Sequence, residues 1–394
     1  ATKDQLMDGT FAPNSSGEAT NIGKLVFGKN SSGEAQKWYI LGTDKGVSVD
    51  NTILFAASPI ARGQMFNDDQ QNNKTYNASY GVYTSNPTDV YPNHYGASKL
   101  RAALQSMATN GSYFTTAEQG LMNNTTVKTK DTKNNVTYTT TDKLYALAAD
   151  GYGSSYKTIK AGSDNSTVLA MSNYWSSGDG FWLRSPYDPS YIGGQDHALD
   201  TLPGGCVGYE YLHIEIVVQP ASNLNLSSVL FASAATAASS DTAVAKTIAS
   251  GAAMNLRLNG TGKDIGTVTY NAATGDIKAT KGSTSQPVSL VVQGNDGTND
   301  WYYSKKIGAS EKIKTSEIKS ALSLTSDIDL SACKIWLEIT DTDGLTYAVG
   351  ASEQHVHCVC GTEDMSISGH THKDVTWLPV SDLSAITEAG NYYL

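Results

Sequence analysis

FWLRSPYD, residues 181–188, decides how the first half of the chain is read. Trp182 and Leu183 are bulky apolar side chains suited to a core, and Pro186 lacks the N–H that a continuing strand needs. Arg184 lies within this apolar run. Its guanidinium carries five donors in a fixed fork, which suits the carbonyls of irregular segments that have no sheet partner. A strand carrying such a clamp implies a domain with long loops. Trp182 and Arg184 are therefore assigned to architecture, together with Trp38 from the strand signal QKWYILG at 36–42.

Upstream, a second apolar run, Thr52–Ala57, also reads as a strand. Ser98–Met107 sets Leu100, Ala103, Leu104 and Met107 on one helical stripe. Thr115-Thr116-Ala117-Glu118 has the spacing of a capping box opening a second helix. Residues 143–147 return to strand character, residues 173–218 read as irregular and aromatic, and Ile214–Val218 closes the region. Within the irregular part, Tyr187, Asp188, Tyr191, Gln195, Asp196, His197 and Asp200, then Tyr209, Glu210, Tyr211 and His213, form two polar–aromatic clusters. Tyrosine gives amphipathic contact area with little side-chain entropy to lose, so these are the candidate ligand-binding residues. The alternative is ordinary loop chemistry. Asp188, Asp196 and Asp200 have the chemistry for calcium or for general acid–base work, and the rival reading is three solvated carboxylates.

Beyond residue 232 the character changes. Residues 233–244 are small and polar and read as a linker. Short strand signals then recur through 245–350, with turns at Asn271–Gly275, at Gly294–Gly297 and at Asp343-Gly344. This spacing predicts an all-β, immunoglobulin-like sandwich. The final segment, 351–394, holds HVHCVCGTEDMSISGHTH at 355–372. Cys358 and Cys360 are spaced i, i+2, as are His370 and His372, so on extended backbone each pair faces one way. That set of two thiolates and two imidazoles favours a structural zinc, with His355 and His357 in reserve. The alternatives are free or otherwise paired cysteines and solvated histidines. Cys206 and Cys333 are far apart in sequence and give no sign of a disulfide scaffold.

Charged residues make up 17% of the 394-residue chain, against roughly 25% in an average soluble protein. Gly (36) and Tyr (22) are abundant. A formal charge of −10 argues against phosphate backbones, so no nucleic-acid partner is expected. No apolar run is long enough to insert in a membrane. The polar start and the hydroxyl- and amide-rich composition point to the mature form of a secreted or cell-surface protein.

Six stretches carry a resemblance when taken together. They are QKWYILG at 36–42, YGASKLRAALQ at 95–105, YFTTAEQGLM at 113–122, DKLYALA at 142–148, FWLRSPYD at 181–188 and QPASNLNLSSVLF at 219–231. In this order they resemble an uncharacterised domain family of secreted proteins from gut Firmicutes, itself similar to the formylglycine-generating-enzyme/C-type-lectin-like fold. The family's closing run usually has Arg where Gln219 stands and Leu where Ser222 stands. The tail, with Trp377 and AGNYYL at 389–394, resembles Cys/His modules repeated in such proteins, as though a further repeat followed.

The resemblance implies an α+β C-type-lectin-like domain over 1–232, within a multidomain, β-rich chain, and a ligand face built from the late loops. The formylglycine-generating relatives need two late cysteines, whereas Cys206 stands alone, and no G-x-S-x-G, H-E-x-x-H or phosphate-loop motif occurs. The expectation is a non-enzymatic, adhesin-like protein that binds an extracellular glycan or protein. A ligand-free stalk is the runner-up, and a hydrolytic or formylglycine-generating-like enzyme the third reading.

Overall fold

A computed structural model describes residues 1–67, 76–77, 89–175, 178–188, 190, 194–359, 376–380 and 392–393. The chain is β-rich, with several separate sheets. It divides into two compact units. The first comprises Ala1–Ala234, Gly251–Leu258 and Thr342–Leu345, and the second Ala235–Ser250, Asn259–Asp341 and Thr346–Leu394.

The first unit is organised on a sheet in the order Lys24–Lys29, Ala35–Ile40, Asn51–Ala56, Ala221–Asn225 and Leu144–Tyr145, with Met122–Asn123 also pairing with Ala221–Asn225. Every residue of Asn51–Ala56 is buried, as befits a central strand covered on both faces. The Trp38 indole is fully buried and donates to the Phe27 carbonyl at 2.7 Å. The helix Lys99–Ala108 is capped by the Ser98 side chain and buries Leu100, Leu104, Met107 and Ala108, with Ala103 half-buried. At ten residues such a helix is marginal alone, and burial of this stripe holds it. Thr115 and Glu118 form a reciprocal capping box at the helix Thr116–Leu121.

Two further hairpins and a strand beside one of them shape the region of interest, and smaller pairs such as Thr158–Ala161 with Thr167–Ala170 complete the unit. Thr125–Asp131 pairs with Val136–Asp142 in a seven-residue ladder, and exposure alternates strictly along the first strand. This pair is called here the lysine hairpin, after Lys128 and Lys130 on its open face. Trp182–Pro186, His197–Leu202 and Cys206–Tyr211 form an antiparallel three-stranded sheet. Residues 173–218 are therefore not irregular throughout: polar and small residues at alternate positions hid two strands. The last two strands are called the tyrosine hairpin.

The second unit is built mainly on two sheets, with a smaller one of His355–Val359, Thr376–Val380 and Tyr392–Tyr393 near its end. One has the order Thr346–Gly350, Lys334–Thr340, Ser289–Asn295, Asp300–Lys306 and Val244–Thr247; the other has Ser310–Lys314, Asp276–Lys281, Gly266–Asn271 and Ser352–Glu353. Between them lies an apolar core that includes Val268, Ile277, Leu290, Val292, Trp301 and Leu337. The turns at 271–275, 296–299 and 341–345 each join antiparallel neighbours, and Thr342–Leu345 of the last group with the first unit. A helix, Thr315–Leu322, also belongs here and buries Ile318, so the unit is not all-β. The last edge pairing, Thr269 with Ser352, is parallel.

The segment 233–244 is not a bare tether. Ala235 and Ala238 are buried, the Ala238 N–H donates to Ser304 Oγ at 2.6 Å, and Ser289 Oγ donates to the Ala238 carbonyl at 3.2 Å. Residues 251–258 group with the first unit, where Asn255–Leu258 pairs with Val229–Ser233, so the sandwich does not begin cleanly at 245.

Candidate functional site

The tyrosine hairpin presents a row of rings. Its register sets His197 opposite Tyr211 and Leu199 opposite Tyr209. Alternate residues share a face, so these four side chains point one way. Leu199 turns into the core, while Tyr209 is 45% and Tyr211 48% exposed. The His197 and Tyr211 ring centres lie 4.0 Å apart with the planes tilted by 40°, and the His213 ring lies 5.7 Å from that of Tyr211. Tyr187 is buried beneath this row, 4.2 Å from the Tyr209 ring, and its N–H donates to the His197 carbonyl.

Tyr152 extends the row from a neighbouring loop, 4.6 Å from Tyr187 and 5.3 Å from Tyr209. The loop is tied to the hairpin at a single residue. Gly153 N–H donates to the Val207 carbonyl at 2.8 Å, and Val207 N–H donates to the Tyr156 carbonyl at 2.9 Å. Gly153 has φ +108°, a backbone geometry that a side chain at this position would strain.

Beside Tyr152 opens a groove of about 720 Å³, lined among others by Lys128, Lys130, Asp150, Tyr156, Asn165 and Asp188. Arg184 lies fully buried and organises its walls. Its Nη1 donates to the Ala146 carbonyl at 2.5 Å and its Nε to the Lys128 carbonyl at 3.3 Å, while Nη2 donates to Asn165 Oδ1. Three segments distant in sequence are thus tied to one side chain. Trp182 is buried and donates from its indole nitrogen to the Gln64 carbonyl at 2.8 Å. Where the resemblance has Arg, Gln219 donates to the Ala56 carbonyl at 3.1 Å. Ser222 Oγ, in the second departing position, donates to the Lys143 carbonyl.

The carboxylates behave differently from one another. Asp188 is exposed, and the Ser190 N–H and hydroxyl hold it below the usual carboxylate range. Asp196 is buried on the short turn Gly194–Asp196, with Gln195 half-buried beside it. Asp200 points to the face of the hairpin opposite the tyrosines, 4% exposed, and its Oδ1 has no hydrogen-bond partner. Burial, and then the charge of Glu210, push it up to about 7. Among the described residues no three His, Cys, Asp or Glu side chains gather as metal ligands, and these three aspartates do not converge.

The expected binding residues therefore divide. His197, Tyr209 and Tyr211 share one face, with Tyr187 beneath them; Asp188 lines the groove; Asp196 is buried; and Tyr191 lies outside the described residues. Sequence reasoning missed Tyr152, Tyr156, Lys128 and Lys130. The signal available for the lysines was the period-two pattern of TTVKTKD. Of the proposed zinc ligands, Cys360, His370 and His372 lie outside the described residues, and Cys358 falls on the strand His355–Val359, paired with Thr376–Val380. Cys206 and Cys333 are free thiols. No helix of the described residues is long and apolar enough to cross a membrane.

Comparison with protein-family models, with curated proteins and with solved structures yields no match.

Proposed function

We propose that the chain is a secreted or cell-surface binding protein whose first unit, a C-type-lectin-like head, holds an extracellular glycan on the tyrosine face. The observation that carries this is the exposed pair Tyr209 and Tyr211, in one row with His197 and Tyr152. Aromatic faces pack against the apolar C–H faces of sugar rings, and a row of them suits an extended ligand. The rings pack against one another in tilted and edge-to-face contacts and so are partly pre-organised, which lowers the entropic cost of binding. A protein partner would use the same surface, and a ligand-free stalk would leave it idle.

The test is a screen of neutral and acidic oligosaccharides and of mucin against the wild type and the Tyr209→Ala/Tyr211→Ala variant. Binding that falls at least tenfold in the variant supports the reading. Equal binding by both proteins, or none by either, removes it.

In this reading the second unit is an immunoglobulin-like spacer, and 351–394 a module fastened by zinc on Cys358, Cys360, His370 and His372. The support is the donor set alone: two thiolates and two imidazoles complete a tetrahedral shell and leave no open position for catalysis. One zinc per chain by elemental analysis is expected, with a sharp fall in Cys358→Ser. Unchanged stoichiometry in that variant rules out the ligand set.

A further inference from the structure

The groove beside Tyr152 has a charge pattern that the tyrosine face does not explain. Acidic residues exceed basic ones across the chain, 38 against 28. Yet Lys128 and Lys130 project from one face of the lysine hairpin into this concave site. Two residues apart on a strand places their Cα atoms roughly 7 Å apart, a spacing that lets two flexible ammonium groups converge on one anion. Neither ammonium lies within ion-pair distance of a carboxylate among the described residues, although Lys130 acts through space on Asp188 and Lys128 on Asp164. The acids nearby are partly committed elsewhere. Asp150 is paired with Lys160 at 2.5 Å, and Asp188 accepts from the Ser190 N–H at 2.9 Å.

The lining also includes the aromatic rings of Tyr152 and Tyr156. Tyr156 is 42% exposed, and its ring lies against Gly151 so closely that a Cβ there would come within 2.5 Å of it. The glycine permits that contact. Asn165 gives its Oδ1 to Arg184, which leaves its amide nitrogen as a donor at the groove wall. A volume of about 720 Å³ is within the roughly 300–1,000 Å³ typical of small-molecule sites.

We propose that this groove is a subsite for a sugar ring bearing an anionic substituent, with the carboxylate or sulfate between Lys128 and Lys130 and the ring against Tyr152 and Tyr156. Tyr152 belongs to both the groove and the tyrosine row, so one glycan chain can lie across both. The inference deepens the glycan reading above and rests on it.

The experiment is calorimetric titration of the full chain with three probes: an oligogalacturonate trimer, a sulfated chondroitin disaccharide and the carboxyl-reduced trimer. Each is titrated at 50 and 300 mM NaCl. The expected result is at least tenfold tighter binding of one anionic probe than of the reduced trimer, weakening with salt because exposed charges are screened. Lys128→Gln/Lys130→Gln should abolish that preference, and Lys128→Arg/Lys130→Arg should restore it. An unchanged far-ultraviolet spectrum confirms that these surface variants fold. Preference for the carboxylate over the sulfate, or the reverse, identifies the substituent. An affinity that ignores the anion or survives the double glutamine variant overturns the subsite. If neutral binding then still depends on Tyr209 and Tyr211, the platform reading survives; if no probe binds, both fall.

Discussion

The two units bury their interiors by different means. In the second, apolar side chains from two sheets meet, and among the described residues its buried polar side chains are Ser289, Ser304 and Glu338. In the first, buried polar groups are spread through the fold: Gln36, Asn51, Asn93, Arg184 and Gln219 each donate to backbone carbonyls. The reason is the amount of irregular backbone. A sheet satisfies its own N–H and C=O groups, whereas a buried loop needs side chains to do it. Regular pairing suits a spacer. Directed clamps fix loops of arbitrary path and leave their outer residues at the surface, which is what the proposed binding role requires.

The largest expected break in this comparison is Arg184→Met. It leaves the Ala146 and Lys128 carbonyls and the Asn165 amide oxygen without their donor. The Ala146 carbonyl is left buried and unpaired at about 1–3 kcal/mol, while the part-buried Lys128 carbonyl and Asn165 oxygen can reach water, for a total on the order of 3 kcal/mol. Chemical denaturation should show the first unit unfolding early while the Trp301 and Trp336 signal of the second stays in place; a concerted shift of both would contradict the division.

Asp200 comes next, and its effect depends on pH. Its folded pKa is raised, from 3.8 to about 7, by burial first and Glu210 second. The folded state thus holds this proton more tightly than the unfolded chain. The contribution is full below about pH 4 and is lost as pH rises through 7. About three pH units correspond to a ceiling of about 4 kcal/mol. Asp200→Asn should therefore stabilise the first unit at pH 8 by roughly 2 kcal/mol and flatten its stability between pH 4 and 7; an unchanged slope would exclude Asp200 as its source.

The smallest effect is expected in a hairpin turn. Gly344 has φ +83°, and a Cβ added there would meet only the Thr115 methyl within 4 Å. Gly344→Ala should cost about 1 kcal/mol through backbone strain alone, read as a shift of a few degrees in Tm. A neutral result would mean that the turn relaxes to another geometry.

Legibility followed the same divide. The capping box at Thr115 and Glu118, the stripe of Lys99–Ala108 and the turn at Gly344 rest on local rules, and all three were readable. The lysine and tyrosine hairpins were not. Thr125–Asp131 alternates buried Thr and Val with exposed Lys, and a threonine-rich stretch reads equally well as a loop. His197–Leu202 buries Asp200, a residue type that composition assigns to solvent. The helix Thr315–Leu322 was lost among strand signals of similar length.

By itself the sequence determined the β-rich character, the turn positions, the helix caps and the chemical types available at the site, because each depends on residues a few positions apart. It also singled out Arg184, since a guanidinium in an apolar run must find acceptors. Only the tertiary structure decided which carbonyls those are, and that Tyr152, Tyr209 and Tyr211 share one surface above the buried Tyr187 while Asp200 lies on the opposite face of the same hairpin. Pairing between distant segments sets those neighbours, and a shift of one residue in register would have exchanged the two faces.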